Sequence, residues 1–112
     1  MNYMQRFVKT LYLKNSEENL KNYCKAHDEI WPEIVEGIKS VGITSMDIYL
    51  LGNLAVMIME CPDDLDVDAA MDRLATLPRQ SEWEDFVAQF QECEPGSTSA
   101  QKWHTMNKVF SL

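Results

Sequence analysis

The stretch that decides the fold is ITSMDIYLLGNLAVMIMEC, residues 43–61 of a 112-residue chain. Its first part, residues 43–51, alternates apolar with other side chains, which is the two-residue period of a strand that buries one face. Gly52-Asn53 then separates it from a second apolar run at 54–61, and this pattern predicts a β-hairpin. The second strand is apolar on both faces. Its second face needs a cover, and a partner subunit is the simplest one.

A strand and a long helical segment precede the hairpin. Residues 5–13 mix apolar and β-branched side chains, which is typical of a strand. Asn15 begins a capping-box pattern, and an apolar stripe then runs over residues 20–41 until Gly42 ends it. Because the stripe keeps its phase across Pro32, the pattern predicts one helix bent at that proline rather than two helices.

Two further helices and a last strand follow the hairpin. An amphipathic run at 67–77 ends at Pro78, and Ser81 then begins a second helix with Glu84 in the capping-box position. Residues 103–112 have the pattern of a final strand. The order β, α, β, β, α, β predicts an α+β protein of ferredoxin-like fold, with an antiparallel sheet and a single domain that covers the whole chain.

Charge and hydropathy argue against two classes of partner. The formal net charge is -8, and no basic patch offsets it, so we expect no binding to nucleic acid. No run approaches the roughly 18 apolar residues of a membrane span. Residues 1–13 also lack the apolar core and the cleavage site of a signal peptide. We therefore expect a cytoplasmic protein that does not bind membranes.

Three cysteines, Cys24, Cys61 and Cys93, occur in the chain. Their number is odd and they show no Cys-x-x-Cys spacing, which favours reduced thiols over a disulfide framework or a zinc site. We expect all three to be packing residues and expect no metal.

His27 places an imidazole in the apolar stripe of the predicted helix. At about 100° per residue, the side chains within about 60° of His27 around the axis are mostly apolar or aromatic: Leu20, Tyr23, Cys24, Ile30, Trp31, Ile34, Ile38 and Val41. A histidine titrates near pH ~6.5 when unperturbed, so it can give or take a proton at neutral pH. His27 is therefore a candidate general acid or base.

The residues around His27 belong to a longer pattern. It runs from Tyr23 and His27 through Ile30-Trp31-Pro32-Glu33, Ile48-Tyr49-Leu50 and Asn53-Leu54 to Val109-Phe110. This pattern resembles the L-rhamnose mutarotase family over nearly the whole chain, and His-x-x-Ile-Trp-Pro-Glu is its most specific part. The resemblance implies a dimer of α+β barrel type that interconverts the α and β anomers of a 6-deoxyhexose without a cofactor. It further implies that His27 is the catalytic acid/base, Tyr23 a sugar contact and Trp83 a pocket residue.

Two positions depart from the pattern of rhamnose-type members. Trp83 is followed by Glu84 where those members commonly carry two adjacent tryptophans, and Met46 stands where they carry a tyrosine. Both changes alter the wall of the sugar pocket that the resemblance implies. The sequence therefore leaves open whether the sugar is L-rhamnose, L-fucose or a related monosaccharide.

Anomer exchange needs only proton transfer, since the ring opens when a proton reaches the ring oxygen and another leaves the anomeric hydroxyl. His27 can serve as the proton donor. On a regular helix Asp28 and Glu29 point about 100° and 160° away from His27, which makes them poor direct partners. The second proton-transfer group is left open.

Other functions and simpler roles fit the same residues. A ferredoxin-like dimer can be a cofactor-free monooxygenase that oxidises quinol-like aromatics, or a non-catalytic ligand-binding module in which His27 is only a buried core residue. For three other residues a structural role is the simplest prediction. We expect Glu84 to cap its helix, Trp31 to pack in the core and His104 to lie on the surface of the last strand.

Overall fold

Residues 3–112, which the computed structural model describes, fold into one four-stranded sheet and five helices. The elements in chain order are β1 (Met4–Tyr12), α1 (Glu17–Asp28), α2 (Pro32–Ser40), β2 (Ser45–Leu51), β3 (Leu54–Pro62), α3 (Val67–Leu74), α4 (Gln80–Ala88), α5 (Ser99–Lys102) and β4 (His104–Thr105). None of these helices is both long enough and apolar enough to cross a bilayer.

The strands lie in the order β2-β3-β1-β4, and every neighbouring pair is antiparallel. The predicted hairpin is confirmed, because Leu51 pairs with Leu54 across a two-residue turn in which Gly52 has a φ of 56°. Side chains alternate along β3, and its residues 55, 57, 59 and 61 are buried in the core with the helices. This is the ferredoxin-like α+β fold that the element order predicts.

The opposite face of the sheet is partly exposed. Val56 and Ile58 are half-buried there, whereas Tyr12 and Tyr49 at the same face are 58% and 59% exposed. The prediction that β3 is apolar on both faces is therefore confirmed. The helices cover only one of those faces.

The first helical region is two helices, so the prediction of a single bent helix is wrong. α1 ends at Asp28, and Trp31 is the N-cap of α2 with φ -68° and ψ 135°. A proline ring clashes with a helical conformation of the preceding residue, while proline itself is favoured at the first helical position. Pro32 therefore begins a new helix. Ile34 of α2 still packs in the same core as Tyr23 of α1, so the apolar stripe continues across the break.

Two predicted N-caps are wrong. Ser16, not Asn15, caps α1, since its side chain accepts a hydrogen bond from the backbone of the third helical residue. Arg79 precedes α4 in a left-handed conformation with φ 65° and makes no side-chain cap. Ser81 consequently lies inside α4, and Glu84 is two residues beyond the third helical position that a capping box requires.

The last strand is much shorter than the predicted 103–112. β4 contains His104–Thr105 alone, with His104 exposed as expected. The backbone amide of Met106 donates to the carbonyl of Val8 at 2.7 Å, and the pairing stops there. Beyond it, Val109 and Phe110 are 94% and 75% exposed. Within the part of the chain that the structure describes, these apolar side chains are left largely exposed to solvent.

The three cysteines are free thiols in different environments. Cys61 is fully buried on the inner face of β3, and Cys93 is half-buried. Burial raises the pKa of the Cys61 thiol, and the nearby side-chain amide of Gln5 opposes part of that rise. Cys24 is exposed, so the prediction of a packing role is wrong for this residue.

Candidate active site

A groove between the α1–α2 helices and strand β2 leads to a smaller inner cavity. The groove has a volume of about 510 Å³, which is in the range of small-molecule sites. The inner cavity holds about 60 Å³, enough for about four water-sized groups. Tyr23 and His27 line both spaces. His27 therefore lies where the groove meets the inner cavity.

The wall of the inner cavity is mostly apolar. Its aliphatic and thioether part is built from Ile30, Ile34, Ile38, Met46, Ile48, Met57, Leu74 and Val87. The polar lining residues besides Tyr23 and His27 are Gln80, Glu84, Gln91 and Ser99. An apolar wall with a few convergent polar groups is the usual composition of a site for a small organic ligand.

His27 has one ring nitrogen fixed by its own helix. Its Nδ1 lies 2.9 Å from the carbonyl oxygen of Tyr23, one turn earlier in α1. A carbonyl oxygen can only accept, so Nδ1 carries the proton and donates it. In the neutral imidazole Nε2 is then the nitrogen with the free lone pair. No group in residues 3–112 makes a hydrogen bond to Nε2, so this half-buried side chain can accept a proton from a ligand.

Aromatic rings hold the imidazole in place. The ring centroids of Tyr23 and His27 are 4.5 Å apart, and Trp83 meets His27 edge to face at 5.5 Å. Trp83 in turn packs on Trp31 at 5.2 Å, and the guanidinium of Arg79 lies 4.1 Å from the ring centre of Trp31. The structure thus brings the three predicted site residues, Tyr23, His27 and Trp83, to one cavity. Trp31 supports them from behind, in agreement with its predicted packing role.

Tyr23 is a buried residue in the wall of the inner cavity. Only 2% of the residue is exposed. Burial raises the pKa of the Tyr23 hydroxyl well above its usual range, a close approach of Gln91 opposes part of that rise, and the charge of Glu84 adds to it. The phenol therefore stays neutral near pH 7, where it can both donate and accept hydrogen bonds.

Glu84 is part of a buried charge network instead of the predicted helix cap. Its Oε1 accepts from Lys102 Nζ at 3.0 Å, and its Oε2 accepts from Gln80 Nε2 at 2.7 Å. Lys102 Nζ also donates to the backbone carbonyl of Glu84 at 2.6 Å, and the lysine side chain is fully buried. Each buried charge is thus paired and hydrogen-bonded, as a buried ion pair requires. Gln80 and Glu84 of this network line the inner cavity.

Sequence reasoning missed Gln91, Gln80 and Lys102. A signal for the two glutamines was present, since Gln80, Glu84, Val87 and Gln91 follow the i, i+4, i+7, i+11 spacing of one helix face. Polar residues in a buried stripe are the same kind of signal that singled out His27. Lys102 carried no such signal, because its partner is 18 residues away in sequence.

The acidic residues next to His27 lie outside the inner cavity. Asp28 lines the outer groove, and Glu29 lines neither space. Met46, the position that departs from rhamnose-type members, lines both. Residues 3–112 contain no group of three or more His, Cys, Asp or Glu side chains arranged to hold a metal ion.

Several known proteins with similar sequences are described as sugar mutarotases. A family model described as L-rhamnose mutarotase matches residues 6–112. An L-fucose mutarotase from Xanthomonas campestris pv. campestris is 33% identical over 111 residues, covering 97% of this chain and 89% of that protein. An L-rhamnose mutarotase from Listeria monocytogenes is 25% identical over 95 residues, covering 85% of this chain and 88% of that protein.

Two solved structures share the fold. The crystal structure of an L-rhamnose mutarotase from Formosa agariphila matches with a TM-score of 0.73 and 21% identity, covering 96% of this chain and 98% of that one. Tetracenomycin F2 cyclase from Streptomyces glaucescens matches with a TM-score of 0.58 and 14% identity, with the same coverage of 96% and 98%. At these identities the structures establish the fold alone. The family model covers nearly the whole sequence, however, and the chain therefore belongs to the L-rhamnose mutarotase family.

Proposed function

We propose that this protein is an aldose mutarotase that interconverts the α and β anomers of a 6-deoxyhexose, with L-rhamnose and L-fucose as the first candidates. The observation that carries the proposal is the position of His27 at the entrance to a mostly apolar cavity. Its Nδ1 is held by a hydrogen bond to the Tyr23 carbonyl oxygen. Membership of a family of carbohydrate isomerases supports the reaction class. The relative described as an L-fucose mutarotase supports L-fucose as a candidate sugar.

In the proposed reaction His27 first acts as a base. Its Nε2 accepts the proton of the anomeric hydroxyl while the C1–O5 bond breaks, which gives the open-chain aldehyde. The O5 oxygen takes a proton from the imidazolium so formed, or from water, and becomes a hydroxyl. Rotation about the C1–C2 bond and the same steps in reverse give the other anomer, with no net gain or loss of protons. Proton transfer by a positioned side chain typically contributes a factor of about 10² to 10⁴.

The surroundings of His27 suit both of its protonation states. The Tyr23 carbonyl accepts from Nδ1 whether the ring is neutral or positively charged, so the imidazole need not turn during the reaction. Trp83 packs edge to face against the imidazole and limits its motion. The acid/base role of His27 therefore needs no movement of the backbone.

The apolar wall suits a deoxysugar. Ile30, Ile38 and Ile48 line both the groove and the inner cavity. A C6 methyl group gains free energy against such side chains, whereas a C6 hydroxyl there would lose its hydrogen bonds to water. We therefore infer that the C6 methyl and the C–H face of the sugar lie along these isoleucines.

We also propose that the enzyme is a homodimer of the cytoplasm. The support for a dimer is the partly apolar outer face of the sheet and the exposed apolar side chains of the last residues. The support for the compartment is the set of three free thiols, which is typical of a reducing environment.

Saturation-transfer NMR on a panel of aldoses tests the function. We expect the exchange rate between anomer signals of L-rhamnose or L-fucose to rise in proportion to enzyme concentration, and to rise less for hexoses with a C6 hydroxyl. Oxygen uptake with a quinol-like aromatic serves as the parallel assay for the monooxygenase alternative. If no aldose on the panel responds, the proposed function is wrong, and oxygen uptake would then identify the alternative.

A further inference from the structure

Two residues in the wall of the inner cavity each carry a buried polar atom without a partner. The hydroxyl oxygen of Tyr23 and Oε1 of Gln91 have no hydrogen-bond partner anywhere in residues 3–112. Their residues are only 2% and 3% exposed, and both line the inner cavity. The two side chains are close enough for Gln91 to affect the pKa of Tyr23, but the geometry between them is not that of a hydrogen bond.

The other polar groups of the cavity do not supply the missing bonds. Both carboxylate oxygens of Glu84 already accept, one from Lys102 and one from Gln80. Leaving a buried donor or acceptor unsatisfied destabilises the protein, and nearly all such groups in proteins have a partner. A ligand that supplies hydrogen bonds to both atoms therefore binds here with a clear advantage over one that does not.

We propose that Gln91 and Tyr23 together bind one hydroxyl group of the sugar, which makes Gln91 a substrate-binding and specificity-determining residue. This inference rests on the proposed function. A hydroxyl is the smallest group that suits both atoms, because it donates to Gln91 Oε1 while it accepts from the Tyr23 phenol. A methyl group in the same place would leave both atoms unpaired.

The size of the cavity decides which part of the sugar enters. About 60 Å³ admits about four water-sized groups, too few for a whole hexose. The outer groove of about 510 Å³ takes the rest of the ring. One edge of the sugar thus reaches inward between Tyr23 and Gln91, while His27 at the junction of the two spaces meets the anomeric centre.

The first test compares two glutamine variants. Gln91→Met keeps the length of the side chain and removes its hydrogen-bonding atoms, whereas Gln89→Met makes the same change at an exposed residue nearby. We expect Gln91→Met to lower kcat/KM about tenfold or more, mainly through KM, and Gln89→Met to stay within about twofold of wild type. A Gln91→Met enzyme with wild-type KM on its sugar would overturn the inference.

The second test uses the wild-type enzyme with monodeoxy analogues of its sugar. We expect one ring position at which loss of the hydroxyl lowers the kcat/KM of the wild type about tenfold or more. On that analogue, Tyr23→Phe and Gln91→Met should lower kcat/KM little further, because all three changes remove the same contact. If Gln91→Met does not fold, the analogues and Tyr23→Phe decide alone. Equal activity on every analogue would refute the inference while the proposed function stands. A wild-type enzyme that exchanges no aldose would refute both.

Discussion

The hydrogen bond between His27 and the Tyr23 carbonyl links sequence spacing to chemistry. The two residues are four apart, so one turn of α1 places the carbonyl of the first beside the side chain of the second. The carbonyl accepts from Nδ1 and thereby leaves Nε2 to the ligand. A single turn of helix thus sets both the position and the tautomer of the proposed acid/base.

Replacing His27 by Asn tests this assignment. Asn keeps a hydrogen-bonding side chain but cannot carry a proton near pH 7, so we expect anomer exchange to fall by a factor of about 10² to 10⁴. The free energy of unfolding should fall by only about 1–2 kcal/mol. Saturation-transfer NMR gives the rate, and circular dichroism checks that the variant is folded.

His104→Asn is the matched control, since His104 is exposed on β4. It should exchange anomers at the wild-type rate. A folded His27→Asn protein that also keeps the wild-type rate would show that His27 is a structural residue.

Tyr23 makes stability depend on pH in the alkaline range. Burial holds the pKa of its hydroxyl above the usual 10.0, whereas the unfolded chain has the usual value. Above about pH 10 the unfolded state therefore releases a proton that the folded state keeps, and the free energy of unfolding falls as pH rises. Urea unfolding at about pH 9 to 11 should show a shallower fall for Tyr23→Phe than for wild type.

Tyr49→Phe serves as the control for that slope, because Tyr49 is exposed on β2. It should follow the wild-type curve. Equal slopes for Tyr23→Phe and wild type would mean that Tyr23 ionises equally in the folded and unfolded chain.

The site was predictable only as far as short-range patterns reach. His27, Tyr23 and Trp83 were found from one helix stripe and one family motif, and all three line the cavity. Glu84 was misassigned because its spacing from Ser81 fits a capping box as well as a buried position. Its actual partner, Lys102, is in contact only because α5 packs near α4 at the end of the fold, and no local pattern encodes that approach.

At the scale of elements, Gly42 fixes the connection from α2 to β2. It has a φ of 104°, and a Cβ built on it would lie 3.1 Å from two side-chain carbons of Leu65. Gly42→Ala therefore adds a steric contact to a backbone conformation that alanine rarely adopts. We expect a loss of about 2 kcal/mol or more in the free energy of unfolding, measured by urea titration.

Gly52→Ala separates the two causes. Gly52 also has a positive φ, 56°, but a Cβ there would meet nothing within 4 Å. The loss in the free energy of unfolding for Gly52→Ala should come from the backbone conformation alone, about 1 kcal/mol. If Gly52→Ala destabilises the protein as much as Gly42→Ala, the contact with Leu65 has no effect on stability.

The types of the elements were easier to predict than their ends. The β-hairpin follows from alternation and a turn signal within one short stretch, and it is confirmed. The division at Pro32 is harder to predict, because the hydrophobic phase continues across it while the steric effect of proline on Trp31 ends the first helix. The length of β4 was overestimated because a strand pattern shows that a segment can pair, not that a partner strand lies within reach.

At the scale of the whole molecule, the outer sheet face and residues 106–112 both have apolar side chains that no other part of the described fold covers. Both expose large apolar side chains, and Leu51 on β2 is 79% exposed while Phe110 in the tail is 75% exposed. Each large apolar side chain gains about 1.5–3 kcal/mol when it is fully buried. A second copy of the chain could cover both surfaces in one symmetric interface, and this is the arrangement that the predicted dimer requires.

The homodimer is testable through the tail. Replacing Val109 and Phe110 by Ser removes two apolar side chains from each protomer, so we expect the dimer to weaken about 100-fold or more, whereas Lys108→Ser leaves it intact. Sedimentation velocity at micromolar concentration should show the wild type at twice the 13.0 kDa of the monomer, with the double variant shifted toward the monomer. A wild type that sediments as a stable monomer would contradict the dimer. A double variant as tightly dimeric as wild type would instead place the interface on the sheet face alone, because the tail would then contribute nothing to it.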